Sequence, residues 1–567
     1  MRHKLSKYIL IGIGTLILNS CNLDPDFYSQ VVPDTFYDSQ DAVWQRFNRP
    51  FTHWRWYIAH NGPRWMLQEL GTDEFMQPTR GSDWYNGAVY QRFHHHEYTD
   101  DMVYIETGWT NFAMGVALAL DAIQDIDENV DFEALGFEEG TRDQMLQQLN
   151  VLIASFLLDG LDFFGGVPLY TEAGGEMLGR STDQETFDFI ETYLQDAIPH
   201  LPIKTELGAK ETGSINRATG AALLARLYFN ANSYIGREMF EEAAAISQDI
   251  IDGEYGNYAL ESDWTNIFGF DNETSPEIIW SVPSENSYLE TDGMIWDRMV
   301  PYNYRDYLGG LDRSGSNNGV GLVPSLDPTG EKYPYKLGGA YSKFHDDDIR
   351  KQPYVYEGGG AYRGMFIVGE LINPLNPEWR CMGAREYRGE VLNVVDQVGY
   401  FAQVGSEAYP TLESLPSTIA HAEESSGVRV TKRSPRPNAN ESSRMFDPDV
   451  PVIRLAEIYY MLAECKMRAG DTGTAAELIN TVRARYFEDG DPDPVTAGNL
   501  DKYRMLDEWQ VEFLAEARRR TDLVRWDAYV TEDWWDHEAT NDANLNRFPI
   551  HYSLIGANNL LEQNPGY

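Results

Sequence analysis

VPVIRLAEIYYMLAECKMRAGDTGTAAELINTVRARY, residues 450–486, decides how this chain folds. Val452, Leu455, Ala456, Tyr459, Leu462 and Ala463 recur at helical spacing and make one face apolar. Gly470 and Asp471 stop that helix, because glycine reaches the left-handed cap conformation without strain. Thr472 or Thr474 caps a second helix, whose inner face is Ala475, Ala476, Leu478, Ile479 and Val482. Alanines at the crossing points let two antiparallel helices approach closely. One such pair cannot bury its own apolar face, so others must stack on it.

Others are present. Asn216 to Ile251 repeats the plan, with Ala221, Ala222, Leu224, Ala225 and Tyr228 on one helix, a break at Ser233–Gly236, then Phe240 to Ile251. Thr141–Phe164 pairs with Asp183–Ile198, and Ser39–Ile58 with Tyr104–Ile123 across a long insertion. Helix, short turn, helix over roughly 34 residues is the tetratricopeptide layout. The fold class expected is mainly α: a tetratricopeptide-like spine of about four helix pairs carrying large insertions. An irregular helical protein is the plainer alternative.

The chain has 567 residues, 42% hydrophobic and 13% aromatic, enough for a real core and unlike a disordered chain. Its formal charge of −44 argues against nucleic acid as a partner and leaves neutral sugars, peptides and cations open. Residues 1–20 read as a lipoprotein signal peptide. Arg2, Lys4 and Lys7 precede an apolar Tyr8–Leu18, and Leu18-Asn19-Ser20-Cys21 resembles a bacterial lipobox in which Cys21 takes the lipid. Acyl chains there would hold the protein at a membrane, and no later stretch is apolar for long enough to span one. Residues 22–39 read as a tether. Beyond the anchor, 21–250 is expected as an N-terminal part and 251–567 as a C-terminal part of one globular unit. Cys465 sits on a helix face as a small core residue, and a Cys381–Cys465 disulfide is open.

Thr79-Arg80-Gly81-Ser82-Asp83-Trp84-Tyr85-Asn86-Gly87 is a loop with two bulky aromatics among turn formers, which push Trp84 and Tyr85 outward. A tryptophan face stacks on a pyranose ring, while Arg80, Asp83 and Asn86 can take its hydroxyls. The competing reading has Trp84 plug a gap under its own loop. Between Pro283 and Ala439 the chain is rich in Gly, Pro, Tyr, Asn and Asp, and structured loops of this kind carry function. There Thr291–Trp296 repeats the aromatic-beside-Asp/Gly arrangement, followed by Tyr302, Tyr304 and Tyr307, with Tyr362 and Trp379 as further candidates. Ile278-Ile279-Trp280-Ser281-Val282 reads as a buried strand, so Trp280 is core. His94-His95-His96 lacks metal-ligand spacing and reads as structural. Gly165 and Gly166 end a helix and are no phosphate loop. Glu508, Glu512 and Glu516 line one face of a helix expected from Met505 to Tyr529, with Arg519, Arg520 and Arg525 following. That pattern is an ion-pair ladder rather than acid/base machinery. No catalytic, metal or cofactor motif is present in the sequence.

Several of these pieces together resemble the SusD/RagB family of Bacteroidetes outer-membrane lipoproteins. They are the lipobox, Phe163-Phe164-Gly165-Gly166-Val167-Pro168-Leu169, the pair at 450–486, Glu516 through Trp526, and Phe548-Pro549-Ile550 through Gln563-Asn564-Pro565-Gly566-Tyr567. Lys343 through Arg350 looks like the family's Asp-x-Arg element, and Trp509 stands where arginine is common. The resemblance implies a helix-pair spine packed against a loop-rich half with few short strands. It implies a non-enzymatic protein on the extracellular face of the outer membrane. Such a protein captures an oligo- or polysaccharide for a SusC-like TonB-dependent transporter; the alternative is peptide capture, as in RagB-like relatives. It raises Trp84 to first place among binding residues and Trp296 to second, and makes Trp264 and Trp280 structural. Replacing Cys21 with alanine is expected to release the protein from membranes, and fractionation of cells carrying Cys21→Ala checks this.

Overall fold

A computed structural model describes residues 36–59, 62–210, 213–284, 298–302, 317–358, 361–373, 376–382, 386–432 and 448–567. Cys21, Trp296, Tyr304 and Tyr307 lie outside them. The helices used below are α1 (Gln40–Ala59), α2 (Pro63–Glu69), α3 (Val89–His94), α4 (Val103–Asn129), α5 (Thr141–Phe164), α6 (Asp183–Ala197), α7 (Arg217–Phe229), α8 (Phe240–Ile251), α9 (Leu455–Arg468), α10 (Thr472–Arg483), α11 (Lys502–Phe513) and α12 (Arg519–Arg525). The strands are β1 (Phe75–Met76), β2 (Ile278–Val282), β3 (Gly321–Leu322) and β4 (Val450–Arg454).

Local chemistry starts these helices. Thr182 accepts from the Glu185 amide while Glu185 accepts from the Thr182 amide, a capping box that opens α6. Asn216 and Thr219 do the same for α7. At α10 the cap is Asp471, which accepts from the Thr474 amide at 3.1 Å, not either of the threonines. A carboxylate at the N-terminus also meets the positive end of the helix dipole.

The spine is as expected: α1, α4, α5, α6, α7, α8, α9 and α10 pack each on the next, in chain order. Close approach is reciprocal where α4 crosses α5. A Cβ on Gly115 would lie 2.3 Å from the Phe156 ring, and one on Gly160 would lie 3.1 Å from that of Phe112. Each helix thus seats the other's phenylalanine on a glycine. One connected apolar core extends from Val43 in α1 to Leu561 near the C-terminus. Trp264, Trp280 and Tyr362 are buried in it, and Trp280 stacks on Trp54 at 4.1 Å. Cys381 and Cys465 are both buried, with no disulfide between them. Among the described residues no helix is long and apolar enough to cross a membrane.

Two expectations need correction. Val450–Arg454 is not helical: it is β4, antiparallel to β2, and α9 begins only at Leu455. The pairing gives the main-chain groups of the buried β2 their partners. Nor is 505–529 one helix. It breaks after Phe513, Ala515 and Ala517 take φ values of 71° and 57°, and α12 starts at Arg519.

The break turns the expected ladder along one helix face into a buried network. Glu512 receives Arg350 Nη1 (3.1 Å), Arg454 Nη1 (2.7 Å), Arg485 Nη2 (2.8 Å) and the Tyr486 hydroxyl (2.9 Å). Glu516 meets Arg454 and Lys432, whereas Arg519 pairs with Asp73 at 2.7 and 2.9 Å. Glu508 pairs with Arg483 and, four residues away, Arg504. Burial alone would raise the Glu512 carboxyl, but the guanidiniums of Arg454, Arg485 and Arg350 outweigh it and hold the group well below the usual carboxylate range. Asp348 and Arg350, the Asp-x-Arg element, form a bidentate pair inside this cluster. Trp509 fills the position where arginine is common, its indole donating to Glu464 at 2.8 Å under the Arg518 guanidinium.

Removing one partner of a buried pair strands the other charge. Glu516→Ala and Arg519→Ala are therefore each expected to destabilise by about 3–5 kcal/mol in denaturant unfolding. Because they share no partner, their double-mutant coupling should be far smaller than that of Glu516 with Arg454.

Candidate functional site

The loop at 79–88 is closed by main-chain bonds before any side chain acts. Arg80 and Asp83 exchange N–H···O bonds at 3.0 and 2.9 Å, and Thr79 is paired to Ile419 and Ala422. The turn this makes demands unusual backbone. Trp84, Asn86 and Ala88 have φ of 64°, 40° and 63°, three non-glycine residues in the left-handed region within five positions. Each such residue costs on the order of 1–2 kcal/mol, a strain that persists only where surroundings enforce it and that clusters at ligand sites.

The surroundings come from distant sequence. Trp84 Nε1 donates to Asn317 O at 3.0 Å, Tyr90 meets the ring edge-on at 6.1 Å, and the Arg298 guanidinium lies 5.7 Å from its centre. Gly319 backs the indole: a Cβ there would lie 3.0 Å from Trp84 Cε2. The Tyr302 hydroxyl donates to Asp83 Oδ2 at 3.1 Å, and the Gly81 amide donates to the Tyr400 hydroxyl at 3.1 Å. Trp84 is thereby half-buried with a fixed ring, while Tyr85 beside it is 56% exposed and Asn86 is exposed.

Arg80 is not on that surface. It is 5% exposed and donates to Gly319 O (3.3 Å), Glu423 O (2.5 Å) and Ser426 O (3.0 Å), so it braces the loop from beneath instead of offering donors to hydroxyls. Burial lowers its guanidinium to about 10, opposed by Glu424. Burial likewise raises Glu424 to about 8, opposed by Arg80 and Arg429. Asn317, Gly319 and Tyr400 lie in the loop-rich 283–439 stretch, which the sequence marked as a region without singling them out. Tyr400 is 319 residues from Gly81, and only folding sets it there.

Other candidates go elsewhere. Trp379 is half-buried. His94 and His96 are buried against main-chain carbonyls. Among the described residues no group of three His, Cys, Asp or Glu side chains is placed to hold a metal. A cavity of about 230 Å³ lies between the spine and the 513–521 turn. Among its charged groups Arg64 pairs with Asp159, Arg226 with Glu457 and Lys432 with Glu516, and the strained loop is not part of it.

The family model described as the SusD family matches residues 276–567, just over half of the chain. The chain belongs to the SusD family. The starch-binding protein SusD of Bacteroides thetaiotaomicron is 24% identical over 428 residues, 72% of this chain and 70% of that protein. A laminarin-binding SusD-like protein shares the fold with a TM-score of 0.65 at 18% identity, over 94% of this chain and 100% of that one. Surface glycan-binding protein A from Bacteroides thetaiotaomicron, in complex with laminarihexaose, shares it with a TM-score of 0.63 at 16% identity, over 93% and 99%. As a SusD-family member this chain is a binding protein and not an enzyme.

In this SusD-family protein the seat of Trp84 is testable apart from any ligand. Gly319→Ala is expected to push the indole outward by a few tenths of an ångström with the fold retained. Tryptophan emission and a melting curve check it, a red shift with little change in Tm being the expected result.

Proposed function

We propose that this protein captures an uncharged oligo- or polysaccharide at the cell surface, on the face formed by Trp84 and Tyr85. The observation that carries this reading is the strained, braced loop that keeps two aromatic rings at the surface. A protein with a formal charge of −44 cannot draw a neutral sugar by charge, so stacking and hydroxyl hydrogen bonds must supply affinity. Stacking favours a ring already immobilised, since little freedom is then lost on binding. In this reading Trp84 and Tyr85 stack, Asp83 and Asn86 bond hydroxyls, and Trp296 contributes from the second segment. Similarity to proteins named for starch and laminarin supports a glycan. Lipid on Cys21 holds the protein to the outer membrane on its extracellular face, and a SusC-like TonB-dependent transporter receives the ligand.

Titration calorimetry with laminarin and soluble starch, beside a peptide array, tests the ligand class. Binding of peptides alone would overturn it. Trp84→Ala is expected to weaken glycan binding by about 2 kcal/mol or more, roughly thirty-fold, with Trp296→Ala next and Trp379→Ala far behind. Unchanged affinity with a lowered melting temperature would make Trp84 a plug for its loop.

A further inference from the structure

At the far end of the helix that follows the aromatic loop, three imidazoles are buried together. His94 ends α3, His96 lies in the turn after it, and His537 belongs to the stretch that follows α12. Each commits one nitrogen to a main-chain carbonyl. His94 Nε2 donates to Trp535 O at 2.9 Å, His96 Nε2 to Gly71 O at 2.7 Å, and His537 Nδ1 to His94 O at 2.6 Å. A carbonyl only accepts, so these bonds decide which nitrogen carries the proton of each neutral ring. The remaining nitrogens, His94 Nδ1, His96 Nδ1 and His537 Nε2, are lone pairs, buried and without a hydrogen-bond partner.

The rings are packed against one another. His537 lies flat on Trp534, 3.7 Å between centres and 4° between planes, and His96 is 4.4 Å from His537 and 4.2 Å from Tyr529. His94 is 6.2 Å from His537. The groups facing this cluster offer a proton no compensation. His95 lies beside His94 in the turn after α3, and α12 contributes Arg520, both adding positive charge. Tyr98 and Tyr529 are neutral and bond each other. Asp536, next to His537 in sequence, finds partners outside the three rings. It receives the Ile419 amide at 2.7 Å and lies 4.0 Å from His95, with His421 also acting on it.

We propose that His94, His96 and His537 form an acid-sensitive clasp. Proton uptake by these rings separates α3, and the aromatic loop that runs into it, from the stretch at Trp534–His537.

Burial, reinforced by the neighbouring imidazoles, holds His94 well below the ordinary histidine range and lowers His537 to about 2; it lowers His96 to about 3. The sign follows from linkage. Above the free value of about 6.5 the rings are neutral whether the clasp is closed or open, and the clasp keeps its full strength. Below it the open state takes protons that the closed state refuses. Each ring then favours opening roughly tenfold per pH unit, and three together roughly a thousandfold, until the pH nears the folded values. The loop is coupled to this because α3 starts at Val89, directly after Ala88. Tyr90 packs on Trp84, and Gln91 Nε2 donates to Thr79 Oγ1 at 3.0 Å.

Hydrogen exchange on the purified protein at pH 7 and pH 5, corrected for the intrinsic rate, tests the clasp. Segments 80–98 and 529–541 should lose protection by roughly ten-thousandfold on acidification, while α5 keeps its own. The variant His94→Gln, His96→Gln, His537→Asn retains an N–H for each carbonyl and cannot take up a proton. Its protection should hold at pH 5. Equal loss in the variant, or equal loss in α5, overturns the proposal. Should the triple variant fail to fold, an NMR titration of the wild-type histidines decides. All three rings should stay neutral at pH 6 in the tautomers given above, and titration of any of them near 6.5 in the closed protein overturns it as well.

Discussion

Glu512 is the point at which the last helix pair and the loop-rich region are joined. It projects from α11 and takes guanidiniums from three separate places: Arg454 before α9, Arg485 after α10, and Arg350 from the loop-rich region. Arg454 continues to Glu277 before β2 and to Glu516 beyond the break. Taking such ions out of water costs several kcal/mol each, so the network is not the main source of stability. Burial of the continuous apolar core drives collapse. What the network does is exclude other dockings. A misplaced helix pair would leave a buried guanidinium or carboxylate unpaired, which costs more than most apolar contacts return.

On that rigid frame the chain holds a segment of poor intrinsic conformation. A short peptide would not keep Trp84 and Ala88 left-handed, because each pays a Cβ clash that Asn86 between them tolerates better. The frame enforces them through contacts from around residue 300, from 317–319 and from Tyr400, and through Arg80 anchored beneath. A ring held this way loses little freedom when something stacks on it. The helix that the loop runs into carries His94, whose ring bonds Trp535 O while its other nitrogen stays buried without a hydrogen-bond partner.

Residues near in sequence carried most of the architecture. The apolar periodicities of α1, α4, α5, α6, α7, α8, α9 and α10 placed the four helix pairs, because that spacing reports which face is buried whatever the partner. Glycine marked helix ends for the same local reason, Gly165 after α5 and Gly470 after α9. Trp280 read correctly as core from a short apolar run. The Trp84 loop stood out by its turn formers and aromatics.

Where the reading failed, the deciding group was distant. Val450–Arg454 has an apolar pattern that a helix could use, and only the presence of β2 alongside makes it a strand. Glu508, Glu512 and Glu516 are spaced like a ladder, but the carboxylates answer to Arg483, Arg454 and Arg350 from elsewhere, and their pull favours the turn at Ala515–Ala517 over a continued helix. Arg80 looked like a surface donor because its neighbours are polar, and it is buried because three carbonyls from 319 and 423–426 converge on it. The sequence by itself determined the helix pairs and the existence of an exposed aromatic turn, since periodicity and turn chemistry act within a few residues. Only the tertiary structure decided which charges pair, which ring of the turn is pinned and which is free, and which imidazole nitrogens are left without a proton. Those outcomes depend on desolvation and on partners hundreds of residues away.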